Sequence, residues 1–323
     1  MTQIFKFADL FAGIGGMRIA FERAGGKCVL TSEIDEHALK TYFANFAQDD
    51  EHVLVKDVLK LSLNDFKLSK GELDVLVAGF PCQPYSIAGL RKGLEDDRGG
   101  EIFTALLRLL KTVQPKAFLL ENVKGIKSHE NGQTFQYMLD ELSYSGYTLR
   151  SETLNSMEHA NVPQNRERVF IVGFRDPARA EAFQFPGKVD LNKTIHDCLE
   201  QSGSVDSKYY YDSRYPAFTE IEREVVKRNT VYQWRRHYVR ENKSNACPTL
   251  TANMGSGGHN VPLIRDTIGV RKLTPRETAN FQGFPSDFTL PPLAASHLYH
   301  QFGNSVTVPL IEKLAHGIAK ALG

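Results

Sequence analysis

Cysteine is scarce. Four cysteines in 323 residues, at positions 28, 82, 198 and 247, form no Cys-x-x-Cys pair, which argues against both a disulfide framework and a cysteine-built zinc site. No metal is expected, and each thiol has to be judged alone. Net charge is nearly absent as well: 39 Lys and Arg stand against 38 Asp and Glu, so bulk charge points to neither a nucleic acid nor a membrane surface. No apolar run approaches the roughly 18–20 residues of a membrane span, and the start, Met1-Thr-Gln-Ile-Phe-Lys6, has no signal-peptide pattern. A cytoplasmic protein is expected. Internal repeats and low-complexity segments are also missing. What is present, 41% hydrophobic and 24% charged residues, suits a globular chain folded as one large domain or two unequal ones.

Up to about residue 175, short apolar runs alternate with amphipathic helical patterns, the form of an α/β sheet with helices on its faces. Strands are predicted at 5–10, 27–32, 73–78, 117–120 and 169–173, all apolar enough to be buried on both faces. Between them, Ile102, Leu106, Leu109 and Leu110 share one helical stripe. Residues 181 to about 265 are richer in polar, aromatic and turn residues and lose the alternation, as in a second, less regular domain. Strong patterning returns after residue 270, where Leu310, Ile311, Leu314, Ile318 and Leu322 make the stripe of a terminal helix that needs a core to cover.

Four segments carry chemistry. In Phe7-Ala-Asp-Leu-Phe-Ala-Gly-Ile-Gly-Gly16 a strand runs through a glycine turn into a helix, so the backbone can approach a ligand and the helix N-terminus favours an anionic group. Glu33 ends the second strand, where an acidic side chain can take the two hydroxyls of a ribose. A nucleoside cofactor is implied, and the Gly-x-Gly-Gly spacing disfavours a dinucleotide. Ala78-Gly-Phe-Pro-Cys-Gln-Pro-Tyr-Ser86 places Cys82 just past the carboxyl end of a strand, in a loop stiffened by Pro81 and Pro84. That suits a nucleophile, whereas Cys28, Cys198 and Cys247 read as small core residues. Leu119-Leu-Glu-Asn-Val123 ends an apolar strand in Glu121, which must be paired or hold a raised pKa. In Gln164-Asn-Arg-Glu-Arg168, Arg166 and Arg168 are two apart at the entry to a strand and are expected to aim at one pocket.

Together with Arg271-Lys-Leu-Thr-Pro-Arg-Glu277 and Gln301-Phe-Gly-Asn-Ser-Val306, these segments closely resemble, in content, order and spacing, the DNA (cytosine-5) methyltransferases of bacterial restriction-modification systems. The resemblance covers residues 5–175 and 270–323. It implies a Rossmann-like, mostly parallel seven-stranded α/β sheet for S-adenosyl-L-methionine (residues 1–178), a smaller irregular target-recognition domain (179–268), and a return to the first domain (269–323). It implies a monomer in the bacterial cytoplasm acting on double-stranded DNA.

Residue by residue, the resemblance makes Cys82 the nucleophile at C6 of a flipped-out cytosine, Glu121 the partner of N3, and Arg168, less directly Arg166, the support of O2 and of the thiolate. It sets Phe11 against the adenine, Glu33 on the ribose and Asp57, in Val55-Lys-Asp-Val58, on the adenine amino group. Gly13, Gly15, Gly16, Pro81 and Asn304 complete the cofactor site. The loop 86–100, with Arg91, Lys92 and Arg98, is the lid over DNA, and Gln83 and Ser86 at its start also face DNA. Two departures stand out. Ile34 replaces an aromatic that often stacks on the adenine, implying weaker cofactor affinity, and Ala88 replaces a serine that fills the space of the flipped base in some relatives.

In the middle region, residues 227–243 hold six Lys or Arg, one acid and interleaved Tyr232, Trp234 and Tyr238, a pattern that favours a nucleic-acid groove. Arg235, Arg236 and Arg240 are candidates for guanine or phosphate contacts. Thr249 and Thr251, followed by Gly255, Gly257 and Gly258, resemble the family's Thr-Leu element and glycine-rich loop. Charge is segregated: residues 181–224 carry five basic and nine acidic side chains, residues 227–265 seven and one. Competing readings are the family branch that methylates tRNA, whose Cys-Phe-Thr tripeptide is absent here, a non-catalytic DNA-binding relative, and a nicotinamide oxidoreductase on the same sheet.

Overall fold

The computed structural model describes residues 5–47, 51–81, 98–235, 237–255 and 260–323. Cys82, Gln83, Ser86, Ala88, Arg91, Lys92, Arg236, Gly257 and Gly258 lie outside the described residues. Seven strands form the large sheet: β1 Phe5–Leu10, β2 Gly26–Ser32, β3 Val53–Val55, β4 Val75–Gly79, β5 Ala117–Val123, β6 Thr148–Asn155 and β7 Glu167–Phe174. Their order is β3-β2-β1-β4-β5-β7-β6. The first five run parallel, and β7 lies antiparallel between β5 and β6. A mostly parallel seven-stranded α/β sheet is therefore present.

Alternate residues of each central strand feed opposite cores, as the two-residue period of a strand requires. Phe7, Val75, Val77 and Leu119 pack under helix α1 (Gly16–Arg23) and the C-terminal helix. Ala8, Leu76, Ala78 and Phe118 pack under α3 (Arg98–Val113) and α4 (Gln133–Tyr144). Helix α2 (Glu36–Asn45) starts at Asp35, whose carboxylate accepts from the backbone N–H groups of His37 and Ala38. Strand order reverses between β1 and β4, so the loops after Leu10 and Gly79 face each other across the crevice where open α/β sheets bind ligands.

All five predicted strands exist, and two more were not predicted. β3 is three half-buried residues, and β6 is a mostly exposed edge strand with Arg150 and Glu152, too polar to read as a buried strand.

In the middle region, β8 (Tyr232–Trp234), β9 (Val239–Glu241), β10 (Val261–Arg265) and β11 (Val270–Lys272) form an antiparallel sheet in the order β9-β8-β10-β11. Helix α5 (Phe218–Glu224) gives Ile221 to its core, which also holds Tyr232, Trp234, Val261, Leu263 and Val270. Because β11 pairs with β10, the chain leaves this sheet after Lys272, a few residues beyond the expected 269.

The C-terminal segment then forms α6 (Pro275–Phe281), α7 (Ala295–Asn304) and α8 (Val308–Leu322). A capping box between Thr274 and Glu277, with Pro275 in the first turn, starts α6. Buried Leu310, Ile311, Leu314 and Ile318 on α8 join the core that contains Phe21 of α1, and Arg23 pairs with Glu312 at 3.2 Å.

Two buried arginines anchor the C-terminal return, Arg271 tying β11 to α6 and Arg166 tying the entry of β7 to residues 250, 303 and 305. Arg271, with no exposed side-chain surface, gives Nε to Asp266 at 2.8 Å and both Nη atoms to Glu277 at 2.8 and 2.7 Å. Arg166, 2% exposed, donates to the carbonyls of Leu250, Gly303 and Ser305 at 2.9, 3.2 and 2.6 Å. Among the described residues no helix is long and apolar enough to cross a membrane, and no group of three His, Cys, Asp or Glu is placed to hold a metal ion.

Candidate active site

The first wall of the crevice is the glycine turn. After Leu10 the backbone takes positive φ at Phe11 (57°), Gly13 (55°) and Gly15 (86°), and α1 begins with no side-chain cap, leaving its first N–H groups available. A Cβ on Gly13 would meet nothing within 4 Å, so this glycine keeps the backbone open to the crevice. Gly15 serves packing instead: a Cβ there would lie 2.2 Å from the Phe46 ring. Glu33 faces the turn. Its two carboxylate oxygens accept from the Gly13 and Asp35 N–H groups, each at 2.7 Å, and burial raises its pKa.

Two cavities open here. The larger, about 390 Å³, is lined by Phe11, Gly13, Gly16, Glu33, Pro81, Glu121, Arg166, Arg168 and Asn304, among others. The smaller, about 210 Å³, is lined by Asp57 and Ile102 and shares Phe11, Glu33, Ile34 and Pro81 with the first. Asp57 also accepts from the Leu59 N–H at 3.1 Å. Beneath the turn lies Asp9, 1% exposed, with neither oxygen hydrogen-bonded among the described residues. Burial pushes its pKa up to about 8, against the pull of Arg18. The motif containing Asp9 was noted in the sequence, but not this residue.

The second wall is built by β4, β5 and β7. Pairing puts Gly79 beside Glu121 and Val123 beside Arg168, so one loop's entry and two charged side chains converge. Arg168 Nε lies 3.0 Å from Glu121 Oε1, with both side chains about nine-tenths buried. Of the two outcomes foreseen for Glu121, the structure realises the pairing. Asn122 Nδ2 donates to the Phe80 carbonyl at 3.3 Å and fixes the chain just before Cys82. Arg166 and Arg168 both line the large cavity, but the Nη donors of Arg166 are spent on three backbone carbonyls, and only Arg168 pairs with Glu121.

The third wall is the 300–306 segment. Gln301 accepts from Thr41 Oγ1 and donates to the His37 carbonyl, both at 2.8 Å, tying α7 to α2. Asn304 is exposed at the rim of the large cavity, near His300. A Cβ on Gly303 would lie 2.3 Å from the Thr251 carbonyl carbon, so α7 meets the backbone at Thr251 and Ala252 directly here.

Arg168 also lines a third, strongly polar cleft of about 410 Å³ between the two sheets. Arg235, Arg240, Thr249 and Thr251 line it, together with Lys124, Glu167, Gln233 and Asn260, which the sequence had not singled out. Gly255 lies elsewhere, packed against Tyr299, and Arg98 opens α3. Cys28, Cys198 and Cys247 are buried, and burial pushes the thiols of Cys28 and Cys198 up to about 12 and that of Cys247 further, so none of the three is a nucleophile.

Comparison with known proteins agrees with this layout. The chain is 44% identical to the Type II methyltransferase M.Bsp6I of Bacillus sp. (strain RFL6), covering 99% of this chain and all of that protein. It is 36% identical to the Type II methyltransferase M.HpaII of Haemophilus parainfluenzae, covering 100% and 91%. Among solved structures, the Entamoeba histolytica methyltransferase EhMeth superposes with a TM-score of 0.73 over 99% of both chains at 19% identity, a likeness of fold. The S. pombe Dnmt2 methyltransferase does so with the same TM-score and coverage at 20% identity. The profile of the C-5 cytosine-specific DNA methylases matches residues 5–320. The chain belongs to that family and is a DNA cytosine-5 methyltransferase.

Proposed function

We propose that the chain methylates C5 of a cytosine flipped out of a specific duplex sequence, as the modification half of a restriction system, with S-adenosylmethionine as methyl donor and Cys82 as nucleophile. The observation that carries this reading is the Glu121–Arg168 pair, which stands where the joined cavities meet the polar cleft, beside the strand end that leads to Cys82.

The joined cavities fit the cofactor. Phe11 and Asp57 suit an adenine, the anchored Glu33 carboxylate keeps lone pairs for two ribose hydroxyls, and Gly13 with the uncapped start of α1 suits a carboxylate. When bound, S-adenosylmethionine supplies an electrophilic methyl group.

The chain's own residues must make the cytosine nucleophilic. C5 has no electron density to offer until a nucleophile adds at C6, which is the task of the Cys82 thiolate. Addition pushes negative charge toward N3 and O2; Glu121, when it carries a proton, gives it to N3, and the Arg168 guanidinium stabilises O2, both from positions already fixed by their pairing. Arg166 positions this edge by gripping residues 250, 303 and 305. Loss of the C5 proton to water and cleavage of the Sγ–C6 bond restore the aromatic ring. Duplex DNA in the polar cleft would reach the site only by base flipping, at a cost of a few kcal/mol.

The test is labelled methyl transfer to duplex DNA and to tRNA. Incorporation into DNA, lost in Cys82→Ser, supports the reading; incorporation into tRNA alone overturns it.

A further inference from the structure

Most polar side chains lining the 410 Å³ cleft are already engaged. Lys124 pairs with Glu167 at 2.8 Å, Asn165 accepts from Asn155, Thr249 donates to the Asn165 carbonyl, and Thr251 donates to Asn253. Four are not. Gln233, Arg235 and Arg240 make no side-chain hydrogen bond or ion pair with any described residue, and Asn260 Oδ1 is buried without a partner. Gln233 is the telling case, because it is only 6% exposed and sits mid-strand in β8. Its amide is not among the buried polar atoms left without a partner, so it opens on the cleft with its donors and acceptors available to a ligand.

Register shows what kind of ligand. Tyr232 and Trp234 belong to the small core, whereas Gln233 between them lines the cleft with Arg240, its direct cross-strand partner on β9. Side chains directly opposite have Cβ atoms about 4.5–5.5 Å apart, wider than the roughly 3.4 Å rise between stacked bases by a margin that side chains as long as Gln and Arg can take up. The major groove admits a two-stranded ribbon, and an amide beside a guanidinium suits the donor and acceptor edges of neighbouring base pairs. Arg228 and Lys243 are exposed and do not line the cleft, so they are left to phosphate rather than to base edges.

We propose that Gln233 and Arg240 are the specificity-determining pair of this methyltransferase. Arg240 reads O6 and N7 of a guanine, and Gln233 reads the adjacent base pair. The proposal rests on the DNA-methylation reading above and goes beyond it by assigning sequence readout to two side chains.

The test methylates a duplex library randomised around cytosine with the full-length chain and reads it by bisulfite sequencing. Arg240→Gln and Gln233→Ala should each lower methylation of the preferred sequence by roughly 5- to 150-fold and relax the consensus at one position, the two positions being adjacent. Uniform loss across sequences, with a shallower salt dependence, would assign both residues to phosphate and overturn the proposal. Should either variant lose cooperative thermal unfolding, Arg240→Lys and Gln233→Glu are used, and an unchanged consensus in these also overturns it. If the wild-type chain methylates no duplex at all, the underlying reading falls. If it methylates with a consensus that no variant alters, only this assignment falls.

Discussion

The carboxyl edge of the large sheet and the cleft face of the small sheet are both polar, yet they treat their side chains in opposite ways. At the large edge the groups are held before any ligand arrives: Glu33 by two backbone N–H groups, Arg166 by three carbonyls, Glu121 by Arg168. On the small sheet, Gln233, Arg235 and Arg240 have no partner among the described residues. Bond making rewards groups fixed in advance, because no free energy is then lost to reorganisation as charge develops. Sequence reading requires the reverse, donors and acceptors whose partners are on the DNA.

This contrast can be broken at graded cost. Glu121→Gln removes the carboxyl from the fixed edge while keeping its shape. Methyl transfer should fall about 10²- to 10⁴-fold in kcat, with DNA affinity at the cleft nearly unchanged in a binding assay. A matching loss of DNA affinity would mean that the two regions are not separable. Arg271→Leu removes the tie between the small sheet's β11 and α6 and leaves the buried Glu277 without its countercharge. Urea unfolding should show a loss of about 3–5 kcal/mol, and a loss below 1 kcal/mol would show that other contacts hold β11 to α6.

Asp9 offers a subtler probe of the fixed edge. The unfolded chain loses this proton near pH 3.9 and the folded chain at about 8. Between those values the folded state binds more protons, so the wild type loses stability as pH rises, and the loss levels off above pH 8. The melting temperature of Asp9→Asn, relative to wild type, should therefore rise steadily from pH 5 to pH 8; a constant difference would contradict the burial argument.

The smallest effect concerns the rim of the small sheet. Lys227 is already paired with Glu241, whereas Arg228 and Lys243 are exposed. Arg228→Ala and Lys243→Ala should each reduce the salt slope of DNA binding by about one, and Lys227→Ala by less. Equal slopes for all three would show that the Lys227–Glu241 pair does not persist beside DNA.

Legibility followed the same divide. Strands β1, β2, β4, β5 and β7 were readable because both faces are buried and their residues are almost uniformly apolar, while polar β6 and short β3 carry no such signal. The candidate cofactor and catalytic side chains could be picked out because glycine turns and charges at strand ends are unusual locally. The small sheet was not readable: its strands β8 and β9 are three residues long, and β8 also pairs with β10, up to 31 residues away. Gln233 was invisible because an amide between two aromatics means nothing until register shows which face it takes. Arg166 was read as sharing a pocket with Arg168, and that spacing argument could not foresee carbonyls from residues 250 to 305 claiming its guanidinium.

The grip of Arg166 also has a consequence for the order of synthesis. A ribosome delivers all seven strands of the large sheet before residue 175, yet the third wall of the large cavity, with Gln301, Asn304 and Ser305, emerges well over a hundred residues later. At elongation rates of about 5–20 residues per second, the nascent chain spends several seconds or more with its sheet made and its cofactor cavity open on one side. Competence to methylate thus arrives late in translation, when the last helices close against the first.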